Sequence, residues 1–375
     1  MTTPTSERLH IAIFGNCNSG KSSLINALTG QQTAIVSDIA GTTTDPVSKA
    51  VELPDIGAAV VIDTPGLDDD TQLGALRAEQ SRKVLAKADI AIVLLPVAES
   101  FMEEVRGANI PIIAVTPKAD LYPPQSPNSD TIAISALTKE GIPTLLNAIA
   151  KVVTEEKRLI TEGICSSGDT VLLVMPQDGS APKGRLIKPQ VEVIRELLDR
   201  GCIPICCQPK QFSSALASLV EPPRAIITDS SAFATVKPLV PQGVTLTSFS
   251  ILFARYKGDI ELFKQGAEAL LSLPPSAKIL IAEACSHTPQ SEDIGRVKLP
   301  KLLRKRLGEQ IVIEHCNGNS FPDNLSHYDL IIHCGACMFN RRYVLSRIAA
   351  AKEQGVPMTN YGVAIAALLN MDLNL

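Results

Sequence analysis

Short apolar runs alternate along the chain with stretches of helical periodicity, and the alternation falls into three blocks. In the first, His10–Gly15 is an apolar run that enters a glycine-rich turn, and Ser22–Thr29 continues with helical spacing. Ala59–Asp63, Ile90–Leu95, Ile112–Thr116 and Ile132–Ser135 are further strand candidates, most of them separated by helical patterns. The second block places strands at Val171–Met175, Ile203–Cys207, Ala225–Thr228 and Val244–Ser248, and helices at Val191–Arg200, Ser213–Leu219 and Asp259–Leu271. The third places strands at Lys278–Ala282, Gln310–Glu314 and Asp329–Ile332, and helices at Pro300–Leu307, Arg341–Gln354 and Val363–Asn370. Strands alternating with helices predict an α/β chain in which each block is a mainly parallel sheet with flanking helices. The Ser-Ser-Gly-Asp of Cys165–Thr170 reads as a linker, and Leu273-Pro274-Pro275 marks a second boundary. The expected domains are 1–162, 170–272 and 276–375.

Composition narrows the classes of function. The chain has 375 residues and a formal net charge of −4, with 45% hydrophobic and 4% aromatic residues and no Trp. Residues 1–160 carry 13 Lys+Arg against 19 Asp+Glu, and residues 161–375 carry 22 against 20. Neither part has the basic excess of a nucleic-acid binder, and a base-stacking surface is not expected. The polar start, Met1–Leu9, has no apolar signal core, and no stretch approaches the ~20 apolar residues needed to span a bilayer. A cytoplasmic location is the expectation. There, nine cysteines read as thiols or metal ligands and not as a disulfide frame. Cys202, Cys206 and Cys207, in or beside an apolar strand, are expected to be small buried thiols.

Gly15-Asn16-Cys17-Asn18-Ser19-Gly20-Lys21-Ser22 fits the phosphate-loop pattern, with a strand before it and a helix after it. The glycines let the backbone wrap around phosphate oxygens, and amides at the helix start supply positive potential. Lys21 would reach the β- and γ-phosphates, and Ser22 would bind Mg²⁺, with Ser23 beside it. Asp63-Thr64-Pro65-Gly66 ends a strand, with Asp63 placed to hold Mg²⁺ through water and the Gly66 amide to sense the γ-phosphate. Between these motifs lies Gly41-Thr42-Thr43-Thr44-Asp45, where Thr42 would contact nucleotide and Thr43 would complete the Mg²⁺ shell. Lys21, Asp63 and Thr43 are therefore the expected catalytic residues. Pro117-Lys118-Ala119-Asp120 is similar to the guanine-reading N-K-x-D motif, with Asp120 on the base edge and Lys118 over its face. Its Asn is replaced by Pro117, a loss of ~1 kcal/mol of hydrogen bonding. Ser135-Ala136-Leu137 fits the short guanine-contacting loop. Leu67 stands where some GTPases place a water-orienting Gln. The loop's Asn18 and the Gly41–Thr44 segment resemble the potassium-activated GTPases related to TrmE and Era. That resemblance implies K⁺ binding through Asn18.

Near the C-terminus, Cys285-Ser286-His287 and His333-Cys334-Gly335-Ala336-Cys337 place metal-ligand residues on two short segments. Both follow predicted strands, and in an open parallel sheet the carboxyl ends of strands share one ligand-binding edge. Thiolates with imidazole suit zinc or an iron–sulfur cluster, and spacing alone leaves both open. Only three cysteines lie in the paired motifs. A cluster held by them would leave a fourth iron for a weaker or exchangeable ligand, with His287 and His333 the candidates. Cys316 reads as core or rim.

The C-x-H…H-C-x-x-C arrangement resembles the cluster signature of HydF, the GTPase family among the maturation proteins of [FeFe]-hydrogenase. Ala181–Ile187, Thr247–Asp259 and Thr359-Asn360-Tyr361-Gly362 match the same family, so the resemblance covers essentially the whole chain. It implies GTPase, dimerisation and [4Fe-4S]-binding domains, in that order. Cys285, Cys334 and Cys337 would ligate the cluster. It further implies a homodimer or larger assembly that accepts a transient 2Fe subcluster built with the radical-SAM maturases HydE and HydG. The cargo would pass to apo-[FeFe]-hydrogenase. Neither nucleic acid nor membrane is an expected partner. The apolar Val244–Phe253 segment suits pairing across a two-fold axis, and the basic Lys298–Arg306 helix reads as a solvated face. The competing function is a zinc-stabilised Era-like GTPase acting in ribosome or RNA assembly, disfavoured by the weak charge and the lack of Trp.

Overall fold

The computed structural model describes residues 7–30, 47–67, 72–122, 131–155, 158–177, 186–284, 293–318, 320–336 and 339–369. The chain divides into two compact units, Met1–Lys157 and Arg158–Leu375.

The first unit runs β1 (Leu9–Gly15), α1 (Lys21–Thr29), β2 (Val47–Leu53), β3 (Gly57–Asp63), α2 (Gln72–Leu85), β4 (Ile90–Leu94), α3 (Glu99–Gly107), β5 (Ile112–Thr116), β6 (Ile132–Ala133) and α4 (Ile142–Glu155). The strands form one sheet in the order β2-β3-β1-β4-β5-β6, parallel except for the antiparallel β2–β3 pair. Successive residues of β1 point to opposite faces. Ile11 and Ile13 join Leu24, Ile92 and Leu145 in one core, while Ala12 and Phe14 join Val93 and Val105 in the other. Helices on both faces explain why all five residues of β4 are buried. The sequence pattern does not show β2. It is an edge strand with mostly exposed or half-buried side chains, so it lacks an apolar run.

The second unit carries two four-stranded sheets. Its first elements are β7 (Thr170–Val174), α5 (Lys188–Asp199), β8 (Ile203–Cys207), α6 (Phe212–Ala217), β9 (Ala225–Thr228), α7 (Phe233–Val236), β10 (Thr245–Ser248) and α8 (Phe249–Lys257). There follow α9 (Ile260–Leu271), β11 (Lys278–Ala282), α10 (Leu299–Leu307), β12 (Val312–Cys316), β13 (Leu330–His333), α11 (Arg341–Glu353), β14 (Met358–Asn360) and α12 (Tyr361–Leu368). The strand orders are β10-β9-β7-β8 and β12-β11-β13-β14, with every pair parallel. In each sheet an edge strand passes directly into a capped helix. Ser248 Oγ accepts from Ile251 N, and Asn360 Oδ1 accepts from Val363 N.

Three expectations are corrected. Cys165–Thr170 is no linker at its start, because Cys165 is buried in the core built on β7, α5 and α8. Cys206 is exposed, since β8 is an edge strand whose outer side chains meet solvent. Val244–Phe253 is not one edge segment. Its second half is the start of α8, where Phe249, Ile251, Leu252 and Phe253 are buried inside the unit. The helix expected at Asp259–Leu271 also packs on the third block, with Phe263 and Ala267 against Leu280, Ile331 and Met358. The basic side chains of α10 face solvent as expected, while Leu299, Leu303 and Leu307 face the core.

Candidate functional site

The first site lies at the carboxyl end of β1. Gly20 takes a left-handed φ of 99° just before α1, and Asn18 sits at φ 56°, so the loop turns sharply back over the helix start. Lys21 is buried, and its ammonium donates to the carbonyls of Gly15 at 2.9 Å and Asn16 at 2.7 Å. This holds the amine over the loop that a phosphate would fill. Ser22 Oγ donates to Asp63 Oδ2 at 2.7 Å, which brings together the two groups expected around Mg²⁺. The other oxygen, Asp63 Oδ1, is buried with no hydrogen-bond partner. Burial pushes the Asp63 carboxyl up, opposed by the Ser22 hydrogen bond and the Lys21 charge. An orphaned carboxylate oxygen beside a hydroxyl and an ammonium fits a divalent cation with nucleotide phosphates.

Gly66 comes against the same loop. A side chain there would collide with Cys17 Sγ and lie 2.9 Å from its amide nitrogen, so only glycine brings this amide so close. Leu67 packs on the apolar layer of Phe14 and Val93 and offers no polar group to water. The guanine-reading candidates also converge. Ala119 N donates to Ile134 O at 2.9 Å, tying Pro117–Asp120 to the strand end that leads into Ser135 and Ala136. Lys118 has φ 57°, and its side chain and that of Asp120 are exposed. Thr42 and Thr43 lie outside the described residues.

The second site lies at the carboxyl ends of β11 and β13, which pair in parallel with Ala282 opposite His333. Cys334 N donates to Ala282 O at 2.9 Å and continues that ladder. The Cys334 sulfur accepts from two backbone amides, Ala284 N at 3.1 Å and Ala336 N at 3.4 Å. Amides aimed at a sulfur stabilise its thiolate form, which is the ligand form. Ala336 holds φ 48°, an uncommon left-handed conformation for a residue with a Cβ. Lys257, at the end of α8, is buried, and its ammonium donates to Ala336 O and Phe339 O, both at 2.8 Å. It clasps the turn from both ends.

His333 is fully buried with both ring nitrogens engaged. Nδ1 donates to Cys334 O at 2.7 Å, and Nε2 accepts from Arg347 Nη1 at 2.9 Å. Burial, with the Arg347 charge next in weight, lowers its pKa to about 3 and keeps the ring neutral. Arg347 is itself buried, donates to Gly318 O at 2.6 Å and to the Tyr343 hydroxyl, and stacks over Phe321 and Tyr343. Cys285, His287 and Cys337 lie outside the described residues. Among the described residues no group of three His, Cys, Asp or Glu side chains comes together as a metal site. Sequence reasoning missed Lys257 and Arg347. A lysine ending an apolar helix and an arginine inside an amphipathic one normally reach solvent, and no local pattern marks them as buried.

Comparison with known proteins assigns the chain piece by piece. Residues 10–118 match the family model of the 50S ribosome-binding GTPase. Residues 160–258 match the hydrogen maturase F dimerization domain, and residues 261–372 match its tetramerization domain. The chain is similar to the tRNA modification GTPase MnmE of Neisseria meningitidis serogroup C, 34% identical over 157 residues, covering 39% of this chain and 35% of that protein. The Rhizobium meliloti MnmE is 39% identical over 145 residues, covering 38% and 33%. The chain thus spans about a third of the length of these curated relatives. Among solved structures, Aquifex aeolicus Era bound to GDP·AlF4⁻ aligns at 20% identity with a TM-score of 0.36, covering 53% of this chain and 92% of that one. The S. thermophilus NFeoB structure bound to GDP·AlF4⁻ and K⁺ aligns at 21% with a TM-score of 0.33, covering 40% and 65%. No helix among the described residues is long and apolar enough to cross a membrane. With a GTPase domain followed by the two domains particular to hydrogen maturase F, the chain belongs to the HydF family of hydrogenase-maturation GTPases.

Proposed function

We propose that this GTPase is a scaffold that holds a [4Fe-4S] cluster on Cys285, Cys334 and Cys337 and carries a 2Fe precursor to apo-[FeFe]-hydrogenase. The observation that carries the reading is the pair of amides on the Cys334 sulfur. They belong to Ala284 and Ala336, the residues immediately before Cys285 and Cys337. The two amides on the Cys334 sulfur thus come from the residues adjoining the other two proposed ligands in sequence. Three thiolates suit a cluster that keeps one iron open to an exchangeable ligand. Because both nitrogens of His333 are committed, His287 is the histidine of the candidate pair left to take that position.

In the GTPase unit, Lys21 is positioned to meet the β- and γ-phosphates, and Ser22 with Asp63 forms the Mg²⁺ corner. Bound Mg²⁺ supplies neutralisation of phosphate charge. Thr43 would complete its shell, Gly66 would sense the γ-phosphate, and Lys118, Asp120, Ser135 and Ala136 would read the base. K⁺ held at Asn18 fits a site where Leu67 cannot orient water. The protein works in the cytoplasm as a homodimer or larger assembly, with HydE and HydG as suppliers of the 2Fe unit.

Anaerobic purification followed by iron, zinc and sulfide analysis tests the cluster reading. Iron and sulfide in near-equal amounts are expected. One zinc per chain without sulfide would overturn it. Cys334→Ser should abolish hydrogenase maturation and leave GTP hydrolysis largely intact; joint loss of both would indicate a structural metal instead.

A further inference from the structure

Tyr361 opens α12 directly after β14. Asn360 pairs with His333 in the sheet, so Tyr361 begins its helix at the same strand end at which Cys334 follows His333. Its ring packs against the apolar layer under α10, but its phenolic oxygen is buried and has no hydrogen-bond partner. An unpaired buried hydroxyl is destabilising, and a phenylalanine would fill the same space without that cost.

The surroundings are built around this oxygen. Gly295 lies so close that a Cβ there would collide with the Tyr361 hydroxyl and lie 2.9 Å from Glu283 Oε1. The missing side chain thus opens a small polar recess shared by Tyr361 and Glu283. Glu283 does not pair with the phenol; its carboxylate pairs with Arg296. Nε lies 3.2 and 3.1 Å from the two oxygens, and Nη2 lies 2.6 Å from Oε2. His315 Nε2 donates to Gly295 O at 3.0 Å and fixes the recess from behind. Glu283 immediately precedes Ala284, whose amide donates to the Cys334 sulfur. The polar recess and the sulfur therefore share one strand end. Burial first, and then the nearby Cys334, push the Tyr361 phenol up, so it remains a proton-bearing donor at neutral pH.

We propose that the Tyr361 hydroxyl is a positioning residue that donates a hydrogen bond to a sulfur atom of the metal–sulfur centre assembled on Cys334. The inference rests on the iron–sulfur reading given above. Hydrogen bonds to cluster sulfurs withdraw electron density and favour the reduced form, which raises the potential.

The test compares full-length wild type and Tyr361→Phe, both reconstituted anaerobically with iron and sulfide. Iron and sulfide content is measured first, then the midpoint potential by a redox titration read by electron paramagnetic resonance. Deuteron couplings to the reduced cluster are recorded after exchange into D₂O. Equal metal content, a more negative midpoint in Tyr361→Phe and loss of one exchangeable deuteron coupling are expected. Gly295→Ala keeps the phenol but displaces its oxygen, and should shift the midpoint in the same direction. Unchanged midpoints and couplings in both variants, with the cluster intact, would overturn the inference while leaving the cluster reading standing. A wild-type chain that takes up no sulfide would overturn the cluster reading itself and this inference with it.

Discussion

Lys257→Met is the most informative single substitution in the second unit. The methionine keeps the length and apolar stem of the lysine but removes the ammonium that donates to Ala336 O and Phe339 O at 2.8 Å. Hydrogen bonds from a charged donor contribute about 1.5–3 kcal/mol each. Two such bonds are lost, and relief of the buried ammonium's desolvation returns part of that, leaving a net loss of about 2–4 kcal/mol. For a unit of this size each kcal/mol shifts the melting temperature by about 2–4 °C. The transition of residues 158–375 should fall by roughly 4–16 °C. The released turn carries Cys337, so a cluster bound as proposed should also lose iron faster to a chelator. GTP hydrolysis, built within residues 1–157, should be unchanged. Scanning calorimetry, a timed chelator challenge and a steady-state GTPase assay read the three effects. A variant that melts within 1 °C of wild type and retains iron equally well would refute the view that Lys257 holds the cysteine turn.

Three further outcomes follow from the site geometry. GTP hydrolysis should be faster in KCl than in NaCl, and Asn18→Ala should remove the difference; equal rates in both salts for wild type would dismiss the K⁺ site. Burial raises the Asp63 pKa, so the ionised form that Mg²⁺ needs is lost at a higher pH than for an ordinary aspartate. Mg²⁺-dependent nucleotide binding should therefore weaken early as pH is lowered; calorimetric titration showing constant affinity down to the usual aspartate range would contradict this. The Cys202 thiol is pushed up to about 11 by burial and by its contact with Cys165, leaving about one thiolate in 10³ at pH 8. Iodoacetamide should label exposed Cys206 in the folded protein and Cys202 only after unfolding, and mass spectrometry showing early Cys202 modification would count against that packing.

The apolar runs of parallel strands are visible in the sequence because helices cover both faces of the sheet. Ala225–Thr228 and Lys278–Ala282 begin and end where the pattern places them. Elements that bury only one side, such as β2, or only three residues, such as β14, lack that signal. The phosphate loop is legible because its chemistry is local: one strand, one turn and one helix supply Gly20, Lys21 and Ser22. The environment of Cys334 is not local. The Lys257 ammonium from α8 and the Ala284 amide after β11 reach the Cys334 turn from far along the chain, so only the fold brings them to it. Buried charge is also invisible in a pattern, and Arg347 inside α11 reads as an ordinary solvated arginine until its partners are seen.

That non-local assembly gives a physical reason for sequence strings that contain no cysteine. Thr247–Asp259 contributes the Ser248 cap that starts α8, the apolar face that joins α8 to the core on β7, and the Lys257 ammonium at its far end. Arg341 returns the contact, with Nη1 3.5 Å from Lys257 O, so the end of α8 and the start of α11 brace each other across the cysteine turn. Thr359–Gly362 contributes the Asn360 cap and, one residue on, the Tyr361 hydroxyl. Thr359 Oγ1 also donates to Phe263 O at 2.8 Å, fixing β14 to α9. Each string therefore spans a junction where a strand stops, a helix starts and one polar group is delivered toward the Cys334 end. A substitution at Ser248 or Asn360 would loosen a helix start by about 1 kcal/mol. It would also move the group that helix carries, so its effect at the proposed metal centre should exceed its effect on overall stability.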